Sequence, residues 1–243
     1  MKYEQTSWWS PSLGHDMRCR VYGHAGKPIL VFPTQGGGLE EYEAFGMIDQ
    51  IRPWIDQGKV QVICADGLDG QTWVNESSHP ADRVRRYNDY DRYIMNELVP
   101  FIWQKSGNQR IITSGCSMGA YHSANFFFRH PDVFDTLIAL SGVYRLNLFI
   151  GDYMDENVYF HTPLAFLPNL SDPHLLDLYR NSRIIVCVGQ GAWEEPMLED
   201  TFRLRQILQD KGIPAWIDVW GHDVAHDWPW WRQMMPYFLS RVI

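Results

Sequence analysis

Ser117 stands in Gly115-Cys116-Ser117-Met118-Gly119, directly after the apolar run Ile111-Ile112-Thr113-Ser114. Glycines on both sides of a serine suit a strained strand-to-helix turn, where a flanking Cβ would collide with neighbouring backbone. Such a turn pushes the hydroxyl out at the carboxyl edge of a sheet. A serine hydroxyl alone is a weak nucleophile, so acyl chemistry here requires a carboxylate and a histidine later in the chain, in that order. The chain has both. The apolar run Ile184 to Val188 leads into Gly189-Gln190-Gly191-Ala192-Trp193-Glu194-Glu195, and the segment 215–220 leads into Gly221-His222-Asp223-Val224-Ala225-His226-Asp227-Trp228.

Two imidazoles compete for the role of general base. His226 is preferred because the aromatic stretch Trp228-Pro229-Trp230-Trp231 follows it and can hold its ring; His222 is the alternative. A His-x-x-x-His metal site over the same pair needs a helix and a third ligand, and the loop after Gly221 offers neither. For the acid, Glu194 is the first choice and Glu195 the second. Glu199 and Asp200 read more simply as acidic residues near a helix start, where they oppose its dipole. The acid's task is to accept the histidine Nδ1–H and stabilise the imidazolium formed as the serine attacks. The developing oxyanion needs N–H donors. Met118, following the serine at the start of a helix, should supply one. Gln35, in the loop Phe32-Pro33-Thr34-Gln35-Gly36-Gly37-Gly38, should supply the other. A phosphate-binding reading of these glycines fails for want of the lysine and Ser/Thr that complete such a loop.

The elements that must position these groups follow from hydrophobic period. Short runs at 17–22, 28–32, 60–65, 111–116, 136–141, 183–188 and 215–220 read as strands, several apolar throughout and so buried on both faces. Helical patterns lie between them: Leu39 to Ile55, a long run up to Trp103 that Pro100 should kink or shorten, the segment from Ser117 to His130, Pro196 to Lys211, and Trp230 to Val242. The alternation is that of an α/β protein with a mostly parallel sheet and helices on both faces. It lapses between about 143 and 181, a Pro- and aromatic-rich stretch that reads as a pocket-covering insertion or a surface excursion.

The 243 residues suit one domain spanning 1–243. A net charge of −8 and an isoelectric point near 5.5 argue against a nucleic-acid surface or a polybasic membrane anchor. No apolar run is long enough for a membrane span, and the first residues lack a signal peptide's apolar stretch, so the cytoplasm is the expected compartment. Cys19, Cys64, Cys116 and Cys187 are spaced as separate buried thiols. The sequence leaves room for a homo-oligomer.

From about Met17 onward the chain resembles the antigen 85, esterase D and feruloyl esterase group of α/β-hydrolases. The resemblance rests on Gly115-Cys116-Ser117-Met118-Gly119, on the loop Gly189 to Glu195, and on His226-Asp227-Trp228, similar to the group's His-Ser-Trp or His-Asp-Trp. Gapless alignment of the group's Gln-Gly turn on Gln190-Gly191 places the acid on Glu194, and the group's second oxyanion donor falls on Gln35. The chain departs from most members in having glutamate as the acid and Thr34 where a glycine is usual. The resemblance implies an α/β-hydrolase fold and cofactor-free cleavage of carboxylic or thiol esters by Ser117, His226 and Glu194, without choosing the ester; short acyl or aryl esters are the expected substrates. It leaves open acyl transfer to another alcohol, or a binding protein that has lost catalysis.

Overall fold

The computed structural model describes residues 3–243. Eight strands form one sheet: β1 (Tyr3–Ser10), β2 (His15–Tyr22), β3 (Lys27–Phe32), β4 (Val60–Ala65), β5 (Ile111–Cys116), β6 (Phe134–Leu140), β7 (Arg183–Val188) and β8 (Trp216–Val219), in the order β1-β2-β4-β3-β5-β6-β7-β8. The pairs β1–β2 and β2–β4 are antiparallel and the rest parallel.

The two-residue period of a strand divides its side chains between two cores. Leu30, Phe32, Leu137, Ala139, Ile184 and Val186 face one cluster, which packs under the helices Pro80–Tyr93, Met118–Arg129 and Glu195–Asp210. Their neighbours Ile29, Val31, Ile138, Leu140 and Ile185 face the other, under the helices Met47–Asp56 and Trp228–Val242. Each such aliphatic side chain contributes roughly 1.5–3 kcal/mol by leaving water, so the sheet is held from both sides. The expected mostly parallel α/β architecture is the one observed.

Three local readings need correction. The expected helix from Leu39 to Ile55 is two helices, Glu41–Ala44 and Met47–Asp56, parted where Gly46 turns left-handed at φ 75°. The long helix does not end or shorten at Pro100: it runs on to Ser106, with a widened π turn over Ile94–Leu98 just before the proline. That turn contains Asn96, whose carbonyl the Pro100 ring would crowd and leave without a donor in a regular helix. Strand β1 carries no signal in the hydrophobic period, because its residues are mostly exposed and lack a strict apolar alternation. The segment 143–181 folds as short helices, at Asn147–Ile150, Glu156–Phe160, Pro163–Phe166 and Pro173–Arg180.

The strand order changes direction between β3 and β5, since the chain winds outward to β4 on one side and to β6 on the other. Loops leaving the carboxyl ends of two such strands diverge to opposite faces and open a crevice. Phe32 at the end of β3 lies beside Gly115 near the end of β5, so the loop with Gln35 and the turn with Ser117 flank the same crevice.

Candidate active site

Ser117 sits at φ 56°, ψ −120°, between β5 and the helix Met118–Arg129. The close approach that demands glycine is visible in what a Cβ would meet: at Gly115, backbone of Gly119 at 2.4 Å, and at Gly119, the carbonyl oxygen of Phe32 at 2.3 Å. The nucleophile helix therefore lies directly on β3, and the serine hydroxyl is thrust into the crevice.

His226 Nε2 is 2.8 Å from Ser117 Oγ, and His226 Nδ1 is 3.2 Å from Glu194 Oε2. His226 arrives from beyond the edge strand β8, and the loop that carries it is stitched to the loop after β7: Gln190 N–H donates to Gly221 O, Gly191 N–H to Val224 O, and His226 N–H to Ala192 O. A Cβ on Gly189 would fall 2.2 Å from Val224 O, so that glycine is what lets the two loops lie together. The imidazole also meets the Trp231 ring edge to face, with centroids 4.9 Å apart. His222 is exposed in the preceding turn and is not bonded to Ser117.

Glu194 is fully buried, whereas Glu195 is exposed at the start of its helix. Trp193 separates inward from outward here. Its left-handed backbone, φ 68°, reverses the chain so that its indole stays 83% exposed while the next carboxylate turns inside. Glu194 Oε1 accepts from Ser141 Oγ at 2.6 Å and from Gly189 N–H at 3.3 Å, leaving Oε2 for the histidine. Ser141 in turn accepts from Trp231 Nε1 at 3.0 Å. Of the remaining carboxylates, Glu199 pairs with Arg145 and Arg203 at the surface, and buried Asp200 accepts the N–H groups of Tyr144 and Arg145. Asp200 thus ties down the start of the 143–181 segment rather than serving a helix dipole.

Gln35 and Met118 both line the cavity at Ser117. Met118 opens its helix, where the N–H has no intrahelical acceptor and the helix dipole favours negative charge. In the other loop, Thr34 N–H donates to Glu41 Oε2, Gly36 N–H to Asp69 Oδ2, and Gly37 N–H to Thr34 O. Among the described residues no such partner engages Gln35 N–H. Burial pushes the Glu41 carboxyl above its ordinary range, against the two Thr34 bonds that pull it down.

The cavity has a volume of about 420 Å³. Trp73, Val143, Leu148, Phe149, Trp193 and Met197 supply its apolar wall. Sequence reasoning singled out Ser117, Glu194, His226, Gln35 and Met118; Gln35, Ser117, Met118 and His226 line one cavity, and Glu194 lies buried behind His226. It missed Ser141, whose signal is a positive φ of 54° that local composition does not announce, and the pair Asp69 and His122, which are far apart in the chain.

The model of the Esterase family matches residues 10–241. The chain belongs to the Esterase family. This family member is a carboxylic ester hydrolase. Among solved structures it is similar to a ferulic acid esterase, at 15% identity and TM-score 0.79 over 100% of this chain and 99% of that one. It is also similar to the fluorophosphonate-binding serine hydrolase F of Staphylococcus aureus, at 17% identity and TM-score 0.72, covering 99% and 97%, and to MPT51 of Mycobacterium tuberculosis, at 14% identity and TM-score 0.73, covering 100% and 98%. At these identities the likeness establishes the α/β-hydrolase fold of the esterase. No curated protein matches the chain by sequence. Among the described residues no helix is long and apolar enough to cross a membrane.

Proposed function

We propose that the chain is a serine esterase acting on short acyl or aryl carboxylic esters through Ser117, His226 and Glu194. Ser117 Oγ attacks the ester carbonyl carbon as its proton passes to His226 Nε2, and Glu194 stabilises the imidazolium. The tetrahedral oxyanion is held by the N–H groups of Met118 and Gln35. Collapse breaks the bond to the alcohol, which leaves with the proton from His226. Water then attacks the acyl-enzyme along the same route and frees Ser117.

The observation that carries this reading is the bonded sequence from Ser117 through His226 to a buried carboxylate, at 2.8 and 3.2 Å, on a left-handed turn at the mouth of a cavity. Support for small substrates comes from the apolar wall and a cavity of about 420 Å³, within the range of small-molecule sites. The 143–181 segment contributes Val143, Leu148 and Phe149 to that wall, which supports reading it as a cover within a single domain. Four buried free thiols support a cytoplasmic setting.

Ser117→Ala should lower kcat on p-nitrophenyl butyrate by about four to six orders of magnitude and abolish labelling by a fluorophosphonate, with an unchanged circular dichroism spectrum. Retained turnover in a preparation free of other esterases overturns the assignment.

A further inference from the structure

A second carboxylate–imidazole pair lies inside the protein, and the proposed mechanism makes no use of it. His122, on the nucleophile helix, is 3% exposed and Asp69 is 4% exposed. Nε2 of the one is 2.9 Å from Oδ1 of the other. Polar groups this deep are costly unless they are paired, and here the pairing forms a series. Asn125 Nδ2 donates to Tyr87 OH at 3.4 Å, and the Tyr87 hydroxyl lies 2.8 Å from His122 Nδ1. Burial raises the Tyr87 phenol far above its ordinary range, so it stays protonated beside Nδ1. The imidazole is thereby held at both nitrogens, Nδ1 by the phenol and Nε2 by Asp69 Oδ1. The other carboxylate oxygen, Oδ2, accepts Gly36 N–H at 3.3 Å.

The series therefore ends on the residue next to Gln35. On the opposite side Glu41 grips Thr34 N–H at 2.7 Å and the Thr34 hydroxyl. Two acidic side chains thus hold the residues before and after Gln35, which lines the cavity and whose N–H has no partner among the described residues. Asp69 meets His122 with one oxygen and accepts Gly36 N–H with the other, so the buried pair fixes the carboxylate that holds this glycine-rich loop. Asp69 also accepts Thr72 N–H and Val74 N–H on its own carbonyl, so the segment carrying cavity residues Trp73 and Val74 is anchored with it.

We infer that Asp69, His122 and Tyr87 are positioning residues that aim Gln35 N–H at the transition-state oxyanion. The inference rests on the esterase reading above. An enzyme without Ser117-dependent hydrolysis would defeat that reading first, so the experiment compares variants only against a wild-type enzyme of demonstrated turnover.

Asp69→Asn keeps the shape of the side chain but weakens its grip on Gly36. It should lower kcat on p-nitrophenyl butyrate by about 10- to 100-fold, somewhat less than outright loss of an oxyanion donor, with KM changed by no more than about threefold. A trifluoromethyl ketone, which forms a tetrahedral adduct bearing the oxyanion, should lose affinity by the same factor as kcat. A merely structural role would lower the melting temperature without this parallel. Folded Asp69→Asn with unchanged kcat, or with kcat reduced and ketone affinity intact, overturns the inference. Should this variant fail to fold, Tyr87→Phe decides: it removes the hydroxyl that meets both His122 Nδ1 and Asn125 Nδ2, and matched losses of about threefold in kcat and ketone affinity support the inference, whereas a folded variant unchanged in both overturns it.

Discussion

Ser141 shows how much at this site depends on one hydroxyl. It donates to Glu194 and accepts from Trp231, the residue whose ring also packs against His226. Ser141→Ala would leave a buried carboxylate oxygen short of a donor and a buried indole N–H without an acceptor, each costing about 1–3 kcal/mol when stranded. The melting temperature should fall and kcat should drop, both measurable on the same purified variant. The two neighbouring glutamates separate by burial alone. Glu194→Gln should reduce kcat by about two to four orders of magnitude, because an amide no longer holds the imidazole in the required tautomer. Glu195→Gln, on an exposed side chain, should stay within about twofold of wild type by the usual behaviour of surface changes, and so should His222→Ala. Equal losses in both glutamate variants would move the acid's role away from Glu194.

The turn at Ser117 is an element-scale device, since its geometry exists only because the nucleophile helix can touch β3. Gly119→Ala would place a methyl 2.3 Å from Phe32 O, against backbone that has no rotamer to yield. Overpacking of this kind costs about 1–3 kcal/mol, or about 2–4 °C of melting temperature per kcal/mol in a chain of this size. Activity should fall much further than stability, since the shift displaces Met118 and Ser117 together; a thermal melt and an ester assay on one sample compare the two. This turn was legible in the chain because its requirements are local: an apolar run, two glycines and a serine between them. The bounds of β4, β5 and β7 were legible for the same reason, each being a short, largely apolar run closed by a turn residue. Strand β1 was not, because an edge strand needs no buried face. Ser141 read as the end of its strand, although β6 stops at Leu140 and the backbone turns left-handed one residue later. Asp69 and His122 carry no signal in the local sequence, since 53 positions separate them and only folding makes them a pair.

At the scale of the whole molecule the governing quantity is charge. The chain carries a formal −8 at pH 7, and Glu76 is the charged side chain, His226 aside, among those lining the cavity. Neither lysine nor arginine lines it, and among the described residues Glu76 has no ion-pair partner. Field lines of one sign gathered in a cleft alter the rate at which charged ligands arrive. An ester with a free carboxylate, such as p-nitrophenyl hemisuccinate, should show kcat/KM about an order of magnitude below the neutral butyrate at low salt, a gap on the scale of such steering. The gap should narrow as salt shortens the Debye length to a few ångströms, and Glu76→Gln should narrow it further. A ratio independent of both would mean that the cavity does not sense substrate charge.

The 143–181 segment leaves the sheet at the carboxyl end of β6 and re-enters at the amino end of β7, its parallel neighbour, where Arg183 lies beside Thr136. Its entry and exit therefore lie on adjoining strands but at opposite ends of the sheet, and any replacement has to span that length. A foreign excursion of different length could be grafted there without altering how the strands register, and it would bring its own wall to the cavity while the serine, imidazole and carboxylate stayed where the sheet holds them. Diversification by exchange of this one excursion is a route to new ester preferences that leaves the bond-breaking apparatus untouched.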